Sequence, residues 1–178
     1  MIERIKKYIK DHKLFTKEDN LLLAISGGGD SVFLFFILKK LGYKFELAHC
    51  NFNLRGEESQ EDEDFVKKLA NKYGIKYYTK TFKTKAYANK QKISIQMAAR
   101  NLRYEWFYKL LSVNHFNFVV LAHNQDDNVE TFFLNLIRGS GINGLCGIKA
   151  KNDKIVRPLL GISRMDIENY LYKNKIEF

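Results

Sequence analysis

The run Ser26-Gly27-Gly28-Gly29-Asp30-Ser31 carries the residue types that phosphate chemistry asks for. Consecutive glycines let backbone N–H groups reach an anion with no side chain in the way. A helix opening directly behind them adds the partial positive charge of its N-terminus. Ser26 and Ser31 contribute hydroxyl donors and Asp30 a carboxylate. The run is not a Walker A loop, since no Gly-Lys-Ser/Thr follows, and its contiguous glycines do not fit the dinucleotide-binding fingerprint. A glycine turn with no ligand is the plain alternative; the strand before it and the helix after it weigh against that.

Further groups could do chemistry. His123, at the end of an apolar run, can hydrogen-bond a nucleotide or move a proton, or serve as a satisfied structural histidine. Asp126 and Asp127 follow it, either as working carboxylates or as the N-cap of the next helix. Arg100 and Arg103 lie three apart and share a helix face. Guanidinium forks there suit a phosphate or a carboxylate, against the alternative of a solvated basic face paired with Glu105. Arg55 and Arg138 sit on loops, where surface arginines are common. His49 has the weaker case, its backbone more than its ring. His12 and His115 flank no motif and read as surface or packing residues.

These residues need elements to hold them. Leu21-Leu22-Leu23-Ala24-Ile25 reads as a buried strand, and Val32 to Leu41 as the helix after the glycines. Phe45 to His49 and Ile75 to Phe82 read as strands, with a helix from Ser59 to Tyr73 between them. Ser94 caps a long helix running to about His115. Phe118 to Ala122 is uniformly apolar and therefore a central strand. A helix starts at Asp126 or Asp127 and ends near Arg138-Gly139. Ile155 to Pro158 is a short last strand, and Ser163-Arg164-Met165-Asp166 resembles a capping box opening a final helix. The stretches Lys83 to Lys92 and Gly139 to Asp153 read as irregular. Lysines and aromatics around Tyr77 to Lys92 could meet RNA, although a surface loop explains them as well. The acidic cluster Glu57 to Asp64 belongs at a helix N-terminus.

Strand–helix alternation at this spacing predicts an α/β fold: a parallel five-stranded sheet covered by helices on both faces, Rossmann-like. Ligands in such sheets bind beyond the carboxyl ends of the strands. Ser26–Ser31, His49–Arg55 and His123–Asp127 are therefore expected to share one crevice.

The bulk numbers narrow the class. A chain of 178 residues, 46% hydrophobic and 28% charged, suits one globular domain. Its longest apolar run, Val32 to Leu38, is too short to span a bilayer, and Met1-Ile2-Glu3-Arg4 opens no secretory signal. Cys50 and Cys146 form no CxxC pair, which speaks against zinc ribbons, iron–sulfur sites and thioredoxin-type chemistry. Two thiols suit a reducing cytoplasm. The net charge of +10 fits a polyanionic partner, or simply a lysine-rich composition with a single proline.

The Ser26–Ser31 run resembles the SGGxDS signature of the PP-loop N-type ATP pyrophosphatase superfamily. Five further segments narrow the resemblance to the tRNA(Ile)-lysidine synthetases. Ala48 to Ser59 is similar to that family's second-strand motif, and Ala98-Ala99-Arg100-Asn101-Leu102-Arg103-Tyr104 to its AAR-x-x-RY helix. Leu121 to Thr131 resembles its AHxxDDxxET motif, and Arg138 to Leu145 its RGSGxxGL motif. Arg157-Pro158-Leu159-Leu160 resembles the segment that follows. The resemblance runs from about Leu21 to the end. Phe52 stands where the family often has histidine, and no chemistry is assigned to it.

The resemblance implies a PP-loop ATP pyrophosphatase fold and a cytoplasmic ligase that uses ATP with Mg²⁺. A C2 carbonyl oxygen of the wobble cytidine in tRNA(Ile), anticodon CAU, attacks the α-phosphate; free L-lysine then displaces AMP to give lysidine. Ser26, Gly27, Gly28, Gly29, Asp30 and Ser31 would hold the departing pyrophosphate. Asp30, Asp126 and Asp127 become candidates for orienting the nucleophile or holding Mg²⁺, with Asp30 and Asp127 foremost for the metal. Arg100, Arg103 and His123 join them as catalytic candidates, and Asp127 or Glu130 as the acceptor of the lysine proton. Arg55, Glu130 and Arg138 are candidates for touching substrate or tRNA. Residues 1–178 read as one catalytic domain, cut before C-terminal tRNA-binding domains, and a homodimer is compatible with it. The rival readings are a PP-loop tRNA thiolase, which would use a cysteine persulfide or an iron–sulfur cluster on paired cysteines, and a non-catalytic nucleotide- or RNA-binding module, which would not need Asp30, Asp126 and Asp127 together.

Overall fold

The glycine run sits where the chain reverses direction across a sheet. In the computed structural model, which describes residues 1–139 and 146–178, the order is α1 (Ile2–Asp11), β1 (Leu21–Ala24), α2 (Gly29–Lys40), β2 (Phe45–Asn51), α3 (Glu57–Tyr73), β3 (Tyr77–Thr81), α4 (Thr84–Gln91), α5 (Ile95–Asn114), β4 (Phe118–Val120), α6 (Gln125–Ile137), β5 (Lys151–Asn152), β6 (Ile155–Val156) and α7 (Arg164–Lys173). The strands form one sheet in the order β3-β2-β1-β4-β6-β5. All neighbours pair in parallel except β5, which runs antiparallel to β6. The chain builds outward from β1 to β3, then returns to β4 on the other side of β1. The carboxyl ends of β1 and β4 therefore flank a topological switch point, where open α/β sheets bind ligands.

Alternation along the strands builds a core on each face. Leu21, Leu23, Leu47, Val120 and Val156 face α1, α2, α3 and α7; Leu22, Ala48, Val119 and Ile155 face Trp106, Phe107, Leu110 and Leu111 of α5. Two-sided burial explains why β1 and β4 read as unbroken apolar runs.

The sheet has six strands where five were expected, because Lys151–Asn152, inside a stretch read as irregular, pairs with Ile155–Val156. Lys83–Lys92 is likewise no loop: Thr84–Gln91 is helical, although only Thr84 and Ala88 are buried in it. The Thr84 hydroxyl donates to the carbonyl of Phe52 at 2.8 Å and ties that helix to the loop after β2. The N-terminal helix α1, to which no element was assigned from sequence, buries Ile5 and Ile9. Ser94 caps α5 as expected, accepting from the Met97 N–H at 3.2 Å. Helix α6 starts one residue before Asp126, and its cap is Asn124, not either aspartate.

Candidate active site

Three strand ends converge on a cleft of about 290 Å³. Ser26, Gly28, Gly29, Asp30 and Ser31 come from the β1–α2 turn. Ala48 and Cys50 come from β2 and Phe52 from the loop after it, and Leu121, Ala122, His123 and Asp127 from the end of β4 and the start of α6. Arg103 and Phe107 of α5 close the far wall. The expected grouping of distant segments thus holds for the glycine run, for His123 and Asp127, and for Cys50 and Phe52 of the His49–Arg55 segment. Of the third segment, His49 and Arg55 stay outside the cleft. The His49 ring is buried and its Nδ1 donates to the carbonyl of Ile25 at 2.9 Å, strapping β2 to the end of β1.

Local geometry prepares the turn for an anion. The Gly28 N–H lies 3.3 Å from Ser26 Oγ, and the Ser31 hydroxyl donates to the Gly28 carbonyl at 2.8 Å. Helix α2 starts at Gly29 with no side chain capping it, which leaves its first N–H groups for a ligand. Gly27 has φ +100°, and a Cβ there would stand 3.1 Å from Asp62 Oδ1, so side chains are excluded twice over.

Beside the turn stands a carboxylate pair. Asn124 donates from its side-chain amide to Asp30 Oδ2 at 3.1 Å. Asn124 and Asp127 form a reciprocal capping box: each backbone N–H reaches the other's side-chain oxygen at 3.0 Å. Asp127 keeps its other oxygen for the guanidinium of Arg164, at 3.2 Å, and the same nitrogen lies 3.9 Å from Asp30 Oδ2. Burial raises the Asp30 carboxyl above its ordinary range, and Asp127 adds to that; Arg164 and the Asn124 bond pull the other way. Asp126 lines neither cleft described here. It is exposed and accepts the backbone N–H of Arg164 at 2.7 Å.

A second cleft, of about 530 Å³, adjoins the first and shares His123 and Asp127 with it. Arg100, Glu130, Lys149 and Arg157 line it. The buried Arg157 donates from Nη1 to the Lys149 carbonyl at 2.8 Å, and its Nε has no partner among the described residues. Arg103 Nε and His123 Nδ1 are likewise buried without partners there. Burial, with Arg157 next, lowers His123 to about 4, so its ring is neutral near pH 7.

The sequence profile of the PP-loop domain family matches residues 1–178. The chain belongs to the PP-loop domain family. It is 52% identical over 169 residues to a tRNA(Ile)-lysidine synthase of Bacteroides thetaiotaomicron, matching 95% of this chain and 40% of that protein. It is 49% identical over 180 residues to another from Porphyromonas gingivalis, matching 100% of this chain and 40% of that protein. The chain therefore spans about 40% of the length of these curated relatives. Among solved structures it resembles a U34-tRNA thiolase of Methanococcus maripaludis with a 4Fe–4S cluster, at TM-score 0.81 over 99% of this chain and 64% of that one, with 18% identity. An NH3-dependent NAD synthetase of Campylobacter jejuni follows at TM-score 0.65, 97% and 72% coverage and 14% identity. At those identities the likeness is one of fold.

The remaining candidates can be placed around the Ser26–Ser31 turn. Arg103 lines the cleft at that turn, while Arg100 and Glu130 line its neighbour. Both arginines also lie against the Tyr104 ring, at 4.9 and 5.5 Å. Arg55 reaches neither cleft: it pairs with Asp62 at 2.8 Å and Glu58 at 3.5 Å. Arg138 is exposed at the C-cap of α6 and lines neither cleft. The rest of its motif, Ser140 to Leu145, lies outside the described residues. Sequence reasoning missed Arg164, Arg157, Asn124 and Phe52. Phe52 forms part of the cleft wall and stacks on Phe82 with ring centroids 5.5 Å apart. Asn124 was legible, since Asn-x-x-Asp before an apolar helix is a capping-box pattern. Nothing in sequence marked Arg164, the first residue of a distant helix. Burial pushes the Cys50 thiol in the cleft wall up to about 12, which leaves it protonated. Among the described residues, no group of three or more His, Cys, Asp or Glu could hold a metal ion, and no helix is long and apolar enough to cross a membrane.

Proposed function

We propose that this chain is the adenylating domain of a cytoplasmic tRNA(Ile)-lysidine synthetase, and that tRNA-gripping domains lie beyond it in the whole protein. The observation that carries the reading is the sharing of His123 and Asp127 by two adjacent clefts, one holding the PP-loop and the other flanked by Arg100, Glu130 and Arg157. A ligase that first activates a base and then passes it to an amine needs its two reacting groups on either side of common residues.

ATP takes the first cleft, with its β- and γ-phosphates on the PP-loop amides and its base against Ala48, Cys50 and Phe52. The C2 oxygen of the cytidine attacks the α-phosphorus; the bond to the β-phosphate oxygen breaks and pyrophosphate leaves. Arg103 stands at that cleft to meet charge on the phosphate oxygens. Asp30 and Asp127 fit Mg²⁺: both approach one cation, the Arg164 guanidinium, and two carboxylates plus phosphate oxygens are donors that Mg²⁺ takes. Bound there with ATP, the ion would neutralise phosphate charge. Lysine enters the second cleft. Its amine attacks C2, AMP leaves, and the amine's proton passes to Asp127 or Glu130, while Arg157 or Arg100 receives the carboxylate. Burial keeps the Cys50 thiol in the cleft wall protonated, which weakens it as the nucleophile of a thiolase.

The test is pyrophosphate release from ATP in the protein carried to the length of its relatives, with Mg²⁺, lysine and tRNA(Ile). Release that needs tRNA, with labelled lysine joined to it, is the expected result. ATP binding with no tRNA-dependent release would leave only a nucleotide-binding module.

A second copy is the partner that α6 supports. Val129, Phe132, Phe133, Leu134, Leu136 and Ile137 are exposed on it, and Val129, Phe133, Leu136 and Ile137 among them keep the spacing of a stripe that helices normally bury. Val129 and Ile137 lie equally far from Phe133, so the stripe complements itself across a two-fold axis. Antiparallel pairing brings the acidic end of one helix, with Asp126 and Glu130, toward Arg138 of the other. Sedimentation should find a dimer that Phe133→Asp dissociates; a monomeric wild type refutes it.

A further inference from the structure

Arg164 stands in a position that the reaction would need for another cation. Its backbone is fixed. Ser163 caps α7 by accepting the Asp166 N–H at 3.1 Å, and Asp126 accepts the N–H of Arg164 itself at 2.7 Å. Farther along, Ile167 and Leu171 are buried, and Tyr170 packs edge-on against Phe33 of α2 with ring centroids 5.2 Å apart. Leu171 and Phe178 press on Gly29, where a Cβ would meet them at 3.3 and 3.0 Å. The helix is thus docked directly beside the start of the PP-loop helix.

The side chain is less constrained than the backbone. It is 51% exposed, and its Nη2 reaches between Asp127 Oδ1 at 3.2 Å and Asp30 Oδ2 at 3.9 Å. Those carboxylates are mostly shielded from water, at 25% and 29% exposure. Two part-buried carboxylates facing one point repel each other and attract protons unless a cation sits there. A guanidinium on a long stem can satisfy that need and still leave, because its far side is already in water.

We propose that Arg164 is a displaceable counter-ion, holding Asp30 and Asp127 in place while the site is empty and giving up that position to a divalent cation when nucleotide enters. The inference rests on the adenylating reading above. It makes metal entry depend on ATP: a free divalent ion must break the Arg164 pair with nothing to offer the guanidinium, whereas the triphosphate brings anionic oxygens that the displaced guanidinium can meet. Asp126 and Asp127 then divide the work. The first anchors the backbone of the counter-ion and the second binds its charge.

Manganese(II) is a direct probe, read as loss of the free-ion paramagnetic resonance signal, with no nucleotide present. Arg164→Ala should bind Mn²⁺ roughly tenfold more tightly than wild type, the scale of losing a half-exposed cation between two carboxylates. Arg164→Met keeps the aliphatic stem and should behave alike, which covers the case of an alanine variant that packs poorly. Adding Asp127→Asn to either variant should abolish the gain. An unchanged or weaker Mn²⁺ affinity in both Arg164 variants overturns the proposal, and so does a gain that survives Asp127→Asn. The outcome is separable from the function itself. Wild type that shows tRNA-dependent pyrophosphate release with no Mn²⁺ effect of Arg164 loses only the counter-ion, and the reverse result loses only the ligase.

Discussion

Asp127→Asn separates the two roles of one side chain. Asp127 Oδ2 accepts the Asn124 N–H at 3.0 Å in the capping box, and Oδ1 faces Arg164 and the cation position shared with Asp30. The amide replacement keeps an oxygen for the cap and removes the charge. The cap should therefore survive, and stability should fall by less than about 1 kcal/mol, the worth of a complete N-cap. The charge is another matter. A unit charge about 4 Å from a cation is worth roughly 4 kcal/mol at an effective dielectric of 20, and the part-exposed position of Asp127 reduces that. A loss of 2.7–4 kcal/mol in the adenylation step is ~10²–10³ in rate. The assay pairs urea unfolding with tRNA-dependent ATP–pyrophosphate exchange in the full-length protein. Exchange within about fivefold of wild type, in a variant that folds normally, refutes the charge argument. Unfolding that costs several kcal/mol while exchange per folded molecule stays normal would show that the cap was the whole of its role.

Asp126→Ala removes only the acceptor for the Arg164 backbone, so it should cost about 1 kcal/mol of stability and leave exchange far closer to wild type than Asp127→Asn does; equal losses in exchange would erase the division between the two aspartates. His123 titrates near 4 in the fold and near 6.5 when unfolded, so the unfolded chain binds the extra proton between those values and stability falls as pH drops through that window. Wild type should lose on the order of 2–3 kcal/mol more than His123→Asn between pH 7 and pH 4. The raised Asp30 carboxyl acts in the opposite sense but is common to both proteins, and parallel stability curves would refute the burial of a neutral ring. Gly27→Ala forces a side chain into φ +100° against Asp62 and should cost about 1–3 kcal/mol in urea unfolding, whereas a neutral result would mean that the turn relaxes. Phe52→Ala removes part of the cleft wall and should weaken binding of a fluorescent ATP analogue about tenfold, the scale of one aromatic contact; unchanged binding would place the base elsewhere.

The sheet was legible because burial on both faces writes uniform apolar runs, as in Leu21–Ile25 and Phe118–Ala122. The glycine turn was legible because glycine, hydroxyl and carboxylate stand together in sequence. What failed to show were elements held by tertiary contact. Thr84–Gln91 has no apolar stripe and no side-chain cap, and it is fastened by Thr84 to the loop after β2 and by packing on α5. Lys151–Asn152 is a strand only because Ile155–Val156 turns back alongside it. Helix α1 is a different failure, since Ile2, Ile5 and Ile9 carry the helical period in plain view.

The candidate site divides along the same line. Ser26–Ser31, His123 and Asp127 each follow a strand, so the rule of strand ends brings them together with no knowledge of packing. Arg164 reaches the same carboxylates by another route. It begins α7, whose buried face packs on α2, and the start of α2 is the end of the glycine turn. The distance from Asp30 to Arg164 in sequence carries no information, but the docking of two helices does. Asp126 joins the two routes: it sits beside Asp127 in the motif, and its partner is the backbone of Arg164. A pair of adjacent aspartates read as one acidic feature is thus two devices, one turned toward the ligand and the other toward the helix that supplies its counter-ion. The sequence motif records their adjacency; only the fold assigns the labour.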